Sequence, residues 1–186
     1  MYAKENNLSL TNHILVALPQ LQDPNFGRSF VQICSHSPAG AMGFVLNKPM
    51  DKQVVESLST HIHLDSKYFR HVFWGGPVQL DTVLVIHSPD HVLPGTKNYG
   101  NYSISKDRQI IRDINAGKLE GEFKIFLGHS TWSPTQLEHE IHVRKNWSHF
   151  QSDNDWIFSP MLHWEDALIT AGESQAQNIL DRIFQQ

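Results

Sequence analysis

Among 186 residues there is one cysteine, Cys34. The chain therefore cannot close an intramolecular disulfide, which fits a reducing compartment. Long apolar runs are also missing. The opening Met1-Tyr-Ala-Lys-Glu-Asn-Asn7 has no apolar stretch, and the first apolar run, Ile14 to Leu18, is far too short for a signal peptide or a membrane span. A cytoplasmic protein with no membrane partner is expected. Positive charge is in deficit, with 15 Lys and Arg against 19 Asp and Glu and a net charge of −4. This removes the uniform attraction to phosphate backbones, and no nucleic acid partner is expected. There is no Gly-Lys-Ser/Thr phosphate loop, no Gly-x-Ser-x-Gly elbow, no cysteine pair and no basic recognition helix after a short helical turn. No repeat, linker or low-complexity tract divides the chain, so one domain is expected. What stands in excess is histidine, twelve in all. Protonating half of them would turn the net charge positive.

Residues 1–11 are polar and read as a flexible segment, with the domain running from 12 to 186. Short β-rich runs follow at His13 to Leu18, Ser29 to His36, Ala41 to Leu46, His71 to Trp74 and Thr82 to His87, each bounded by Pro, Gly, Asn or Asp. Ser35-His-Ser-Pro-Ala-Gly40 reads as a hairpin turn, and Val54, Val55 and Leu58 mark a short helix from Asp51 to Leu58. In the second half, Ser105 is the expected cap of a helix carrying Ile110, Ile111 and Ile114 and ending at Gly117. Phe123 to Leu127 makes a buried strand. Ser133-Pro-Thr-Gln136 then forms a capping box for a helix that buries Leu137 and Ile141 and turns Glu138, Glu140, His142, Arg144 and Lys145 to water. A last helix, Trp164 to Phe184, has Ala176, Ile179, Leu180, Ile183 and Phe184 at helical spacing, with Gly172 interrupting its first part. Strands come mainly first and helices mainly later, which favours an α+β fold over a regular βαβ winding.

Four constellations could carry chemistry. Cys34 and His36 stand two apart on a strand, which would put a nucleophile and a base on one face. Their separation of nearly 7 Å, from about 3.3 Å per residue, exceeds hydrogen-bond reach. His129, His139, His142 and His149 invite a metal site or a His129/His139 hydrolase. However, His139-Glu-Ile-His142 is one residue short of the i, i+4 zinc pattern, so no metal and no cofactor is expected. Asp23-Pro-Asn-Phe-Gly-Arg28 reads as a capped turn whose N–H groups, beside Arg28, could hold an anion, and Gly75-Gly76-Pro77 adds flexible backbone. Trp132, Trp147, Trp156 and Trp164 could stack on bases, but from Leu127 to Gln186 only Arg144, Lys145 and Arg182 accompany them.

Several of these segments together carry a resemblance. Leu18-Pro-Gln-Leu-Gln-Asp-Pro-Asn-Phe-Gly-Arg-Ser29, His36 with Gly40-Ala-Met-Gly43, Asn47-Lys-Pro49, Gly75-Gly-Pro-Val78, and Trp132 with Gln136-Leu-Glu138 resemble the AlgH/YqgE family of bacterial proteins over nearly the whole chain. The resemblance implies a compact α+β domain with a branched, mixed or antiparallel sheet forming a partial barrel, packed with three to four helices. It brings no established active site, and one member's name links it to regulation of alginate production. The sequence departs from the family where Gly128-His-Ser-Thr-Trp132 replaces Gly-Tyr-Ala-Gly-Trp and where Thr135 replaces a glycine. With no complete catalytic constellation, the expected function is non-catalytic binding or regulation through a protein partner or small ligand. The candidate binding residues are Asp23, Arg28, Asn47, Gly75, Gly76, Trp132, Gln136 and Glu138, polar or glycine positions at element ends. The competing readings are an enzyme using Cys34/His36 or His129/His139, and third, a transcriptional regulator.

Overall fold

The structure, a computed structural model, describes residues 8–185. Its sheet has nine strands: β1 (His13–Ala17), β2 (Phe30–Ser37), β3 (Gly40–Val45), β4 (Val72–Trp74), β5 (Val78–His87), β6 (Lys97–Asn98), β7 (Ser103–Ser105), β8 (Phe123–Trp132) and β9 (Trp147–Gln151). The order is β6-β7-β5-β8-β3-β2-β1-β9, with β4 attached to β8 outside that path. Pairing is antiparallel except for β4, which runs parallel to β8. β8 is the branch. Its first half pairs β5 and β4, and Ser130–Trp132 pairs β3.

The strand expected to stop at Leu127 continues to Trp132 because Gly128 bends without breaking it, at φ +69°. Gly76, at φ +150°, faces it across the branch, and a side chain on Gly128 would strike the Gly76 carbonyl. Two backbones approach there as only glycine allows.

Five α-helices and one 3-10 turn, Ser66–His71, cover the sheet among the described residues, more than the three to four expected. α1 (Lys52–Ile62) starts on Asp51, whose side chain accepts from Gln53 N, and it runs one turn past the expected end. α2 (Gln109–Asn115) has Arg108 at its N-cap with no side-chain cap bond, and it is Asp107, not Ser105, whose carboxylate accepts from Gln109 N at the helix start. Ser105 is instead buried in β7, its hydroxyl bonded to His87 and Thr96. α3 (Gln136–His142) buries Leu137 and Ile141 as its pattern requires. α4 (Asn154–Phe158) is capped by Asp153. α5 (Trp164–Phe184) runs unbroken through Gly172. No helix of the described residues is long and apolar enough to cross a membrane.

Three apolar clusters fill the interior formed by the described residues. Phe30, Phe44, Tyr102, Phe126 and Phe150 meet Trp156 of α4 and Ala167 and Ala171 of α5. Leu15, Val31, Ile33 and Trp147 lie under α3, and Val85, Ile125 and Leu127 lie under α1 and α2. Of the segment 1–11 expected to be flexible, residues 1–7 lie outside the described residues. Leu10 is buried, and its N–H donates to His36 Nδ1 at 2.9 Å.

Candidate functional site

The Asp23–Arg28 turn satisfies itself. Asp23 Oδ1 accepts from the N–H groups of Asn25 and Phe26 at 2.8 and 2.9 Å, so the donors expected to face an anion are spent on the turn's own carboxylate. The turn lifts Phe26 into an aromatic cluster, with ring centroids 5.8 Å from Trp74, 6.4 Å from Trp132 and 5.8 Å from Trp147. Lys48 lies 5.7 Å over the Trp74 ring and donates to the Asn25 carbonyl. Arg28 turns elsewhere, to Glu165 at 2.6 Å and over the Trp164 ring at 4.6 Å. Asn47 acts as a splint, accepting from Phe30 N and donating to Arg28 O. Gly75 and Gly76 pack at the branch, where the Gly75 carbonyl receives Val45 N and Ser130 Oγ.

A second group is built on α3. Glu140 Oε2 accepts the indole N–H of Trp132 at 3.2 Å and of Trp147 at 2.9 Å, while its Oε1 accepts from Gln136. The expected solvent-facing Glu140 is therefore the polar anchor of the aromatic cluster. Two buried indole donors with no other acceptor leave it no freedom to face water. The capping box forms by half. Gln136 Oε1 accepts from Ser133 N and Oγ, but the N-cap position is Thr135, at φ +65°, with no side-chain cap bond, and the Ser133 hydroxyl accepts from no helix N–H of the described residues. Glu138 pairs with His36 Nε2 at 2.8 Å. Because His36 Nδ1 accepts from Leu10 N, the ring donates through Nε2 to that carboxylate. Beside this pair a cavity of about 460 Å³ is lined by His36, Glu138, His142, His149 and Arg182. His149 is held down at about 4 by burial, and by His13 and His142.

Of the candidate residues, Arg28 thus pairs with Glu165 and Glu138 with His36, and Phe26 is the side chain that ties the Asp23–Arg28 turn to Trp132. Cys34 and His36 do not form a pair. A bulge between Ile33 and Ser35 changes the strand's face. Cys34 is sealed in the core with its thiol pushed up to about 12 by burial, and His36 sits with Leu10 and Glu138. His139 is exposed on α3, whereas His129 sits on β8 near Phe44 with Nδ1 unbonded, its pKa lowered by burial. No three His, Cys, Asp or Glu side chains among the described residues come together as a metal ligand set.

With this geometry in hand, the comparisons are consistent. The AlgH-like family model matches residues 14–176. A UPF0301 protein of Vibrio cholerae is 34% identical over 181 residues, covering 91% of this chain and 96% of its own. Another, from Pseudoalteromonas translucida, is 33% identical over 88% of this chain and 92% of its own. The solution structure of the AlgH protein from Pseudomonas aeruginosa superposes with a TM-score of 0.73 at 28% identity, covering 94% and 93% of the two chains. A crystal structure from Corynebacterium diphtheriae, 20% identical over 84% of each chain, shares the fold with a TM-score of 0.63. A model spanning most of the chain, full-length relatives and one branched half-barrel agree: the chain belongs to the AlgH-like family.

Proposed function

We propose that this is a non-catalytic binding or regulatory protein of the cytoplasm, acting through a protein partner or small ligand. The binding face is placed around Asp23, Asn47, Gly75, Gly76, Trp132 and Gln136, with Arg28 and Glu138 at its flanks. One observation carries the reading. Trp74 belongs both to the aromatic cluster that these segments build and to an open groove of about 650 Å³, whose apolar lining includes Met50, Val54, Leu58 and Leu80. That volume lies within the range of small-molecule sites. The sealed thiol of Cys34 and the separation of Cys34 from His36 favour binding over thiol catalysis. The negative net charge disfavours direct DNA contact.

Native mass spectrometry of untagged protein from its own host tests this. A stoichiometric companion is expected on the wild type and lost from Trp74→Ala. Wild-type protein recovered free of any companion, or a companion that survives Trp74→Ala, overturns the reading.

A further inference from the structure

Lys124 is the one lysine that β8 carries into the interior, 6% exposed. Its ammonium has three donors. One goes to the Leu46 carbonyl at 3.3 Å, and the face of Phe73 lies 4.8 Å away. No carboxylate of the described residues lies within ion-pair distance of it. Glu122, two residues away, is exposed at the rim. A buried cation with no counter-charge is costly, and proteins normally pair such a group.

The space around it is open. Cavities of about 480 and 290 Å³ lie against Lys124 as the larger and smaller parts of a trough, and Phe73, Lys124 and Pro160 line both. Phe123 and Phe158 wall the larger part, Arg70 stands at its edge, and Asn47 borders the smaller part. This trough shares no lining residue with the Trp74 groove. We propose that it binds a small organic carboxylate with a flat apolar body, the carboxylate meeting Lys124 and Arg70 and the body lying between the phenylalanine rings. The ligand supplies the counter-charge that the protein withholds. Burial holds the Lys124 amine down to about 8, so it still carries its proton for the most part at pH 7.

Titration at pH 7 with 2-naphthoate as the probe, followed by amide chemical shifts, tests the assignment. Saturable one-to-one binding is expected, with the largest shifts at Phe73, Phe123 and Lys124. At least tenfold weaker binding is expected for the neutral 2-naphthamide on the wild type and for 2-naphthoate on Lys124→Met, which keeps the apolar stem. No saturable binding, naphthamide bound as tightly as naphthoate, or undiminished affinity in folded Lys124→Met would each overturn it. The naphthamide comparison needs no variant, so the result does not depend on the variant folding. It is also indifferent to Trp74→Ala, which separates this site from the Trp74 groove, although Asn47 of the binding face borders the smaller cavity.

Discussion

Lys124 also determines how stability responds to alkaline pH. Its amine titrates near 8 in the folded chain, below its ordinary value of about 10.4. Below pH 8 both folded and unfolded chains hold the proton. Between 8 and about 10.4 the unfolded chain holds more, so the Lys124 contribution to stability rises with pH across that window. Lys124→Met abolishes the rise and stabilises the protein at pH 7, by about 2–3 kcal/mol. Urea unfolding of both proteins at pH 7.5 and 9.5 measures the difference. Equal pH profiles would show that the ammonium is not desolvated as described. Cys34, its thiol pushed up to about 12 by burial, acts in the opposite direction from about pH 8.5, and Tyr102, its phenol pushed up by burial and by Cys34, does so above about pH 10; both are common to wild type and Lys124→Met and cancel in the difference between them.

At the scale of elements, α3 is held by its carboxylate as much as by its apolar face. Glu140→Ala orphans two buried indole donors and is expected to cost about 3 kcal/mol, whereas Glu140→Gln, which keeps a carbonyl acceptor, costs less than half of that. Equilibrium denaturation gives both values; an alanine variant within 0.5 kcal/mol of wild type, on the order of a neutral surface change, would refute the anchoring role. The helix itself was legible in sequence, since Ser133, Pro134, Leu137 and Ile141 mark its start and inner face. Its polar anchor was not, because an acceptor for two tryptophans is defined by tertiary approach and leaves no periodic trace. β9 escaped for a similar reason. Trp147-Ser-His-Phe-Gln151 shows no alternation, and it becomes a strand by pairing with β1 over five positions. The branched sheet was expected from family resemblance alone; composition and spacing reached only the α+β class. Of the candidate site residues, Asp23 was legible as a cap from its place before Asn25 and Phe26. The pairings of Arg28 and Glu138 depend on Glu165 and His36, partners that lie more than a hundred residues away in the chain.

For the molecule as a whole, α5 is mounted with its apolar stripe outward. Ala167 and Ala171 sit against the sheet, and Asp181 and Arg182 line the cavity beside His36. Ile179, Leu180, Ile183 and Phe184 are 59, 46, 60 and 82% exposed. Helical spacing announces such a stripe but not the side it faces; the body contact is made at the helix start by Trp164 and Leu168 together with the small Ala167 and Ala171, which a hydrophobic pattern underweights. The paired substitution Ile179→Glu with Ile183→Glu is therefore expected to leave the unfolding free energy within about 0.5 kcal/mol, while Ala171→Leu costs about 1–3 kcal/mol by overpacking. Differential scanning calorimetry distinguishes the two, and a large loss in the glutamate variant would place the stripe in the core.

The branch at β8 also orders events in time. Both halves of the sheet hang on this strand, whose partners begin as early as Ala41, so the β5 half cannot close before Phe123–Leu127 is free to fold and the β3 half not before Trp132. During synthesis the β2–β3 hairpin can form from neighbours at once, but its edge waits unpaired while the intervening residues emerge. Closure joins distant segments, which makes it slow compared with helix formation. The last third of the chain, through β8 and β9, is thus what turns a set of open strands into a half-barrel, and the interval before it arrives is when the nascent protein is most prone to associate with other chains.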